Sequence, residues 1–416
     1  MFKAKKELVQ ELAKLAVING VNVQNGQPLY INAPVEAYEL VRECVKIAYE
    51  VGAKSVSVNY LDDQKSRLDY EYQDTDTLKN VPEWMLSKKQ YEIDSNACYL
   101  YISGEDPDLL NGIDTNKIME VSLAKGKALQ KYRYYTMNNY GQWCIIAWPN
   151  LAWAKKVFPD KDDDDDAAME ALWKAILSTS RVEENKTLKN WDIHNAEIQK
   201  HCKLLNDFNF KTLHFKNSLG TDLNVGLIKN HIWGGGCEEA IGKYKVLFNP
   251  NIPTEEVFTM PDRRRIDGKV VSTKPLSYNG NIISRFELTF KDGQIIDVKA
   301  DDNQKVLEDL IAMDKGTKSL GEVALISYDS PIQNSGILFF DTLFDENASC
   351  HLAIGACYPT NLKGGADLSK DELYELGGND SMEHVDFMFG SCDMSIVGET
   401  YDGQFIEVFK DGNFII

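Results

Sequence analysis

No CxxC pair occurs anywhere in the 416 residues; the eight cysteines stand singly. That excludes a zinc-ribbon or disulfide framework, and a chain with this much core to bury needs no covalent staples. Free thiols in a reducing cytoplasm are the expectation. Long apolar runs are missing too, so no stretch reaches the length needed to span a bilayer. The opening MFKAKKELVQELAKLAVING mixes charges with apolar residues at helical spacing and lacks the uninterrupted apolar centre of an export signal. Basic charge is scarce: 45 Lys and Arg face 64 Asp and Glu, for a formal charge of −19. Phosphate backbones and anionic membrane surfaces are repelled by such a balance, so neither nucleic acid nor membrane is expected as a partner. The strongest basic run, Arg263-Arg264-Arg265, is three residues long and is expected to pair with surface acids.

What is present reads as an ordinary folded protein, 43% hydrophobic and 10% aromatic. Its length favours two domains. From residue 1 to about 180, helical patterns alternate with short apolar strands: PLYINA, then VEAYELVRECVKIAYEVGA, then SVSVNY, with similar pieces at NACYLYISGE and QWCIIAWPN. These are βαβ units, and they predict an α/β domain with a mainly parallel sheet. No GxGxxG opens its helices, so a dinucleotide site has no support. The run KDDDDDAAMEALWKAI lacks the alternating ligands and mid-loop glycine of an EF-hand; Asp166 is expected as a helix cap instead. Residues 181–416 change texture to shorter alternating strands with hairpin signals at Asn279-Gly280, Asp292-Gly293, Asp402-Gly403 and Asp411-Gly412. A strand-rich α+β domain is predicted there, and it carries the chemistry.

Only six histidines exist. His194 and His201 lie seven apart in a helical stretch with no carboxylate cluster nearby, which favours a structural role. His384 precedes Asp386 by two in SMEHVDFMFGS, and strand alternation sends both to one face. An imidazole and a carboxylate projecting together make a two-point metal grip. Glu322 begins the apolar strand run LGEVALISY, where a glutamate is ordinarily exposed. Glu255 and Glu256 sit in NIPTEEVFT, and because strand neighbours face opposite ways, at most one reaches a shared site unless the backbone turns. His351 lies in DENASCHLAIGACYP, where a core histidine and a ligand are equally open readings. Cys350 and Cys357 are expected to pack around the site rather than ligate.

In this order NIPTEEVFT, LGEVAL, TLFDENASCHLAIGACYP and EHVDFM resemble the aminopeptidase T, aminopeptidase S and PepS family of dinuclear metalloaminopeptidases. The four blocks span residues 249–390, and weaker similarity, including HIWGGG, extends over the second domain. The resemblance implies a metal site of Glu256, Glu322, His351, Tyr358, His384 and Asp386, holding two divalent ions, with zinc, cobalt, manganese and magnesium all open. Such N and O donors suit borderline ions better than thiolate-loving ones. Tyr358 either ligates, which needs the metal to lower its ordinary pKa of about 10, or stays protonated and donates to a developing oxyanion.

The implied reaction is hydrolysis of the N-terminal peptide bond of short peptides by a water activated between two metals. Glu255 is the candidate general base, or the group that binds the substrate's free amine, with a ligating carboxylate such as Glu322 as the alternative base. Asp345 and Glu346 are candidates for orienting His351 or capping the local turn. A homodimer is implied as well, with the site in a cavity shaped partly by the first domain. Two rivals use the same residues: another dinuclear hydrolase, either an amidase or a phosphoesterase, and a non-catalytic binding protein.

Overall fold

The apolar segments of the first third become four parallel strands, Ser55–Leu61, Pro28–Pro34, Cys98–Ser103 and Trp143–Ala147, hydrogen-bonded in that spatial order. The strands belong to a computed structural model that describes residues 2–278 and 281–416. The Asn279-Gly280 hairpin signal lies outside the described residues. Helices supply the crossovers that parallel strands require. The opening helix, Lys6–Lys14, buries Val9, Leu12 and Ala13 and runs into the wider helical turns Leu15–Gly20. At Gly20 an added Cβ would lie 2.7 Å from Cys144 Sγ, so only glycine lets that turn approach the Trp143–Ala147 strand. Leu29, Ile31, Leu100, Ile102, Cys144 and Ile146 are buried in this core.

The helix after the aspartate run, Asp165–Thr179, is capped by Asp164, whose side chain accepts the Ala167 N–H. The cap is therefore two residues earlier than Asp166. Asp165 and Asp166 occupy the first turn, where the helix dipole favours acids.

Two compact units emerge, one of Met1–Ile193 with Cys237–Pro253, the other of His194–Gly236 with Thr254–Ile416. The second holds an eight-stranded antiparallel sheet running from Gln294–Ala300 at one edge to Asn413–Phe414 at the other. Its Asp292-Gly293 and Asp411-Gly412 turns have positive φ at both residues, as tight hairpins demand. A separate four-stranded antiparallel sheet has the order His384–Met388, His351–Gly355, Leu320–Leu325, Val257–Thr259. Alternation decides its two faces. Phe387, 1% exposed, turns into the core and packs on Phe286 with ring centroids 5.3 Å apart. Truncating it to Ala is expected to cost about 3–5 kcal/mol. Its neighbours His384 and Asp386 turn the other way, toward the site. Among the described residues no helix is long and apolar enough to cross a membrane.

Candidate metal centre

Three strands of the four-stranded sheet, and the residue just before the fourth, deliver polar side chains to one cluster. Register places Glu322 opposite Ala353 and Ala353 opposite Asp386, so a methyl group separates two carboxylates on three adjacent strands. His384 faces Gly355, and His351 lies between Ala324 and Met388. The central strand thus offers only small side chains beside its histidine, and the space above them is what the acids and imidazoles share. Glu322 is not the exposed strand-start residue its position suggested; it is 4% exposed.

Two groups of donors form there. Glu256, Glu322 and His351 make one, and Glu322, His384 and Asp386 make the other, each with its ligand atoms within 4.8 Å of one another. His351 Nε2 is 3.1 Å from Glu256 Oε2 and 3.4 Å from Glu322 Oε1. His384 Nε2 is 3.7 Å from Glu322 Oε2 and 3.4 Å from Asp386 Oδ1. Glu322 belongs to both groups, one oxygen turned to each histidine. Of the adjacent glutamates, it is Glu256 that joins the cluster. Glu255, which precedes the strand, lies 3.9 Å from His194 Nε2, and its backbone N–H donates to Asn347 Oδ1.

The charges in this chamber are interlocked. Burial opposes a charged His351, yet hydrogen bonds to Glu256 and Glu322 win and hold its pKa well above the usual imidazole range. Burial likewise opposes a charged His384, but Asp386 and Glu322 raise it to about 10. Burial raises the Glu322 carboxyl to about 7 despite His351. For Asp386 the balance falls the other way: burial pushes up, and His384 pulls its carboxyl below the ordinary value. Burial, followed by the carboxyls of Glu322, Asp386, Glu346 and Glu256, keeps the Tyr358 phenol protonated far above its ordinary range. Its ring centroid lies 4.9 Å from that of His384.

This arrangement fits divalent ions. Two donors bound at about 2.0–2.1 Å to one tetrahedral ion sit about 3.3 Å apart, close to the separations around each histidine. Buried like-charged carboxylates at such density need cations among them. Asp386 Oδ1 is buried without a hydrogen bond, since the 3.4 Å contact with His384 lacks the alignment for one. His384 also has the outer partner typical of a ligating imidazole, with Nδ1 2.7 Å from the Ala356 carbonyl oxygen, which turns Nε2 toward the acids. The His351 Nδ1 contact with the Ser349 carbonyl is longer, 3.4 Å.

Glu346, expected to cap the turn or orient His351, instead turns its carboxyl to the chamber, where burial and then Asp386 and Glu256 raise its pKa well above normal. Only Asp345 does local work, accepting the Phe339 N–H at 2.8 Å. The signal for Glu346 was faint, because it lies in a one-turn helix, Glu346–Ala348, with no periodic pattern. The remaining candidates are used structurally. His201 stacks on Phe414 at 4.1 Å between centroids, and Arg264 and Arg265 pair with Asp262 at 2.8 and 3.1 Å. Arg263 lies over the Tyr374 ring. Cys350 and Cys357 are buried free thiols whose pKa values burial pushes up to about 11.

Residues 5–414 match the family described as Thermophilic metalloprotease (M29). Aminopeptidase AmpS of Bacillus subtilis (strain 168) is 43% identical over 402 residues, covering 97% of each chain. Aminopeptidase 2 of Geobacillus stearothermophilus is 42% identical over 414 residues, covering 100% of this chain and 99% of that one. The solved structure of wild-type AmpT from Thermus thermophilus superposes with a TM-score of 0.91 at 35% identity, across 99% of this chain and 100% of that one. With matches along its whole length and a buried histidine and carboxylate cluster where a metal would sit, the chain belongs to the M29 family of metalloproteases.

Proposed function

We propose that the protein is an aminopeptidase that releases the first residue of short peptides with two divalent metal ions. The observation that carries this reading is Glu322 shared between two histidine and carboxylate groups. Glu256, Glu322 and His351 would hold one ion, and Glu322, His384 and Asp386 the other, with Glu346 and Tyr358 beside them. When bound, such ions polarise a carbonyl and lower the pKa of water. Zinc, cobalt, manganese and magnesium all suit this donor set.

The chain's own groups supply positioning and proton handling. Tyr358, holding its proton, donates a hydrogen bond to the oxyanion that develops on the scissile carbonyl. Glu255 accepts a proton from the attacking water, beside His194, whose Nε2 donates to the Thr254 carbonyl oxygen at 2.6 Å. The excess of acid in the chamber favours a free, cationic α-amine and so fixes cleavage at the first residue. The apolar residues around His351, notably Leu352 and Ile354, are buried and keep the sheet beneath the site dry.

The proposal includes a homodimer working in the cytoplasm. All eight cysteines are free, which suits a reducing compartment, and the resemblance of the four sequence blocks supports the dimer. Light scattering on the purified protein tests the dimer. The activity is tested with Leu-p-nitroanilide set against p-nitrophenyl phosphate under each ion. Release of p-nitroaniline alone is expected; hydrolysis of the phosphate ester alone would replace the aminopeptidase reading with a phosphoesterase.

A further inference from the structure

Beside the candidate metal centre, on the same unit, lies a cavity of about 100 Å³. Its lining joins apolar side chains, Leu276, Leu338, Phe340 and Met388, to the carboxyls of Asp341, Asp345, Glu346 and Asp386. Met388 follows Asp386 by two on one strand, so alternation turns both to the same face and makes the cavity continuous with the chamber. Such a lining matches an amino acid with a cationic α-amine held among the carboxyls and an aliphatic side chain against the apolar residues. A cavity of roughly 150 Å³ takes a benzene ring, so this smaller one suits a side chain the size of leucine or methionine and is too small for an indole. Of the acids in this lining, Asp345 already accepts the Phe339 N–H. Lys274 also exerts an attractive charge on Asp345.

We infer that this cavity receives the side chain of the substrate's first residue and selects aliphatic residues of leucine or methionine size. The inference rests on the aminopeptidase reading above. Leu338 is the specificity-determining position to vary, because it lies outside the regular strands and three residues beyond the α-helix Pro331–Ser335.

The test uses the purified, metal-loaded full chain and its Leu338→Trp and Leu338→Ala variants. The kcat/KM is measured for Ala-, Leu- and Trp-p-nitroanilide, and L-leucine binding is measured by calorimetry. Metal content and Tm confirm that each variant is folded. The wild type is expected to favour Leu over Ala by about tenfold or more, the range in which apolar pockets discriminate by a few carbons. L338W should lose at least about tenfold of that ratio and bind leucine at least about tenfold more weakly; L338A should shift preference toward Trp. An unchanged preference order in both variants, with normal metal content, overturns the inference. If no aminoacyl substrate turns over yet leucine binding weakens in L338W, the aminopeptidase reading fails and the pocket stands. If leucine binding is indifferent to L338W, the pocket fails whatever the activity.

Discussion

Glu322 presents Oε1 to His351 Nε2 at 3.4 Å while its other oxygen turns to His384, so one buried carboxylate serves two imidazoles. The position follows from strand register rather than from a loop, which makes the site a property of the four-stranded sheet.

Ala353 is the narrowest test of that register, since it stands between Glu322 and Asp386. Replacing it with Leu pushes a branched side chain into the space shared by both groups. Metal content measured by mass spectrometry is expected to fall below one ion per chain, with kcat/KM dropping about 100-fold, the usual cost of displacing reacting groups by an ångström. Circular dichroism should be unchanged, because the sheet's core face is untouched. Full metal content in A353L would contradict the register.

Glu255 and Glu256 should fail differently. Glu256→Gln removes a carboxylate 3.1 Å from His351 and is expected to lower metal affinity by more than the roughly 10- to 100-fold that losing an outer partner of a ligand costs. Glu255→Gln should keep its metal and lose about 100- to 10,000-fold in kcat, the range of a lost general base. Metal titrations alongside kcat separate the two, and an E255Q enzyme with wild-type turnover would remove the base from that position.

Tyr358→Phe keeps the ring against His384 and deletes only the hydroxyl. A loss of about 100- to 1,000-fold in kcat with unchanged metal content is the expected result, as for other oxyanion donors. Loss of metal instead would mark Tyr358 as a ligand.

His231 provides a pH signature away from the metal groups. Burial lowers its pKa from 6.5 to about 4, so the native state holds it neutral. Above pH 6.5 folded and unfolded forms are both neutral, and the protein has its full stability. As pH falls below 6.5 the unfolded chain takes up a proton that the native state refuses, and stability is lost down to about pH 4. The total is about 3 kcal/mol. Urea unfolding of His231→Asn should show a shallower fall than wild type between pH 6.5 and 4.5, and parallel curves would contradict the assignment.

Much of this was legible in the sequence, for identifiable reasons. Strand alternation alone put His384 and Asp386 together, and the βαβ texture announced the parallel sheet. Less was legible where long-range contacts decide. The segment Cys237–Pro253 groups with the first unit although it lies far along the chain, a return no local pattern encodes. Glu346 carries no periodicity, and Ala353 has no chemistry of its own until the register sets it between two acids. The Asp292-Gly293 and Asp411-Gly412 hairpin signals succeeded because positive φ restricts the residue types; the helix cap missed by two because a run of aspartates offers several equivalent caps.

The most direct measurement is the number of divalent ions bound per chain, titrated by mass spectrometry while hydrolysis of Leu-Gly and N-acetyl-Leu-Gly is followed. Two ions per chain, with activity rising as the second binds and the acetylated peptide left intact, is the expected result. Absence of bound metal, or equal cleavage of the blocked peptide, would contradict a two-metal aminopeptidase.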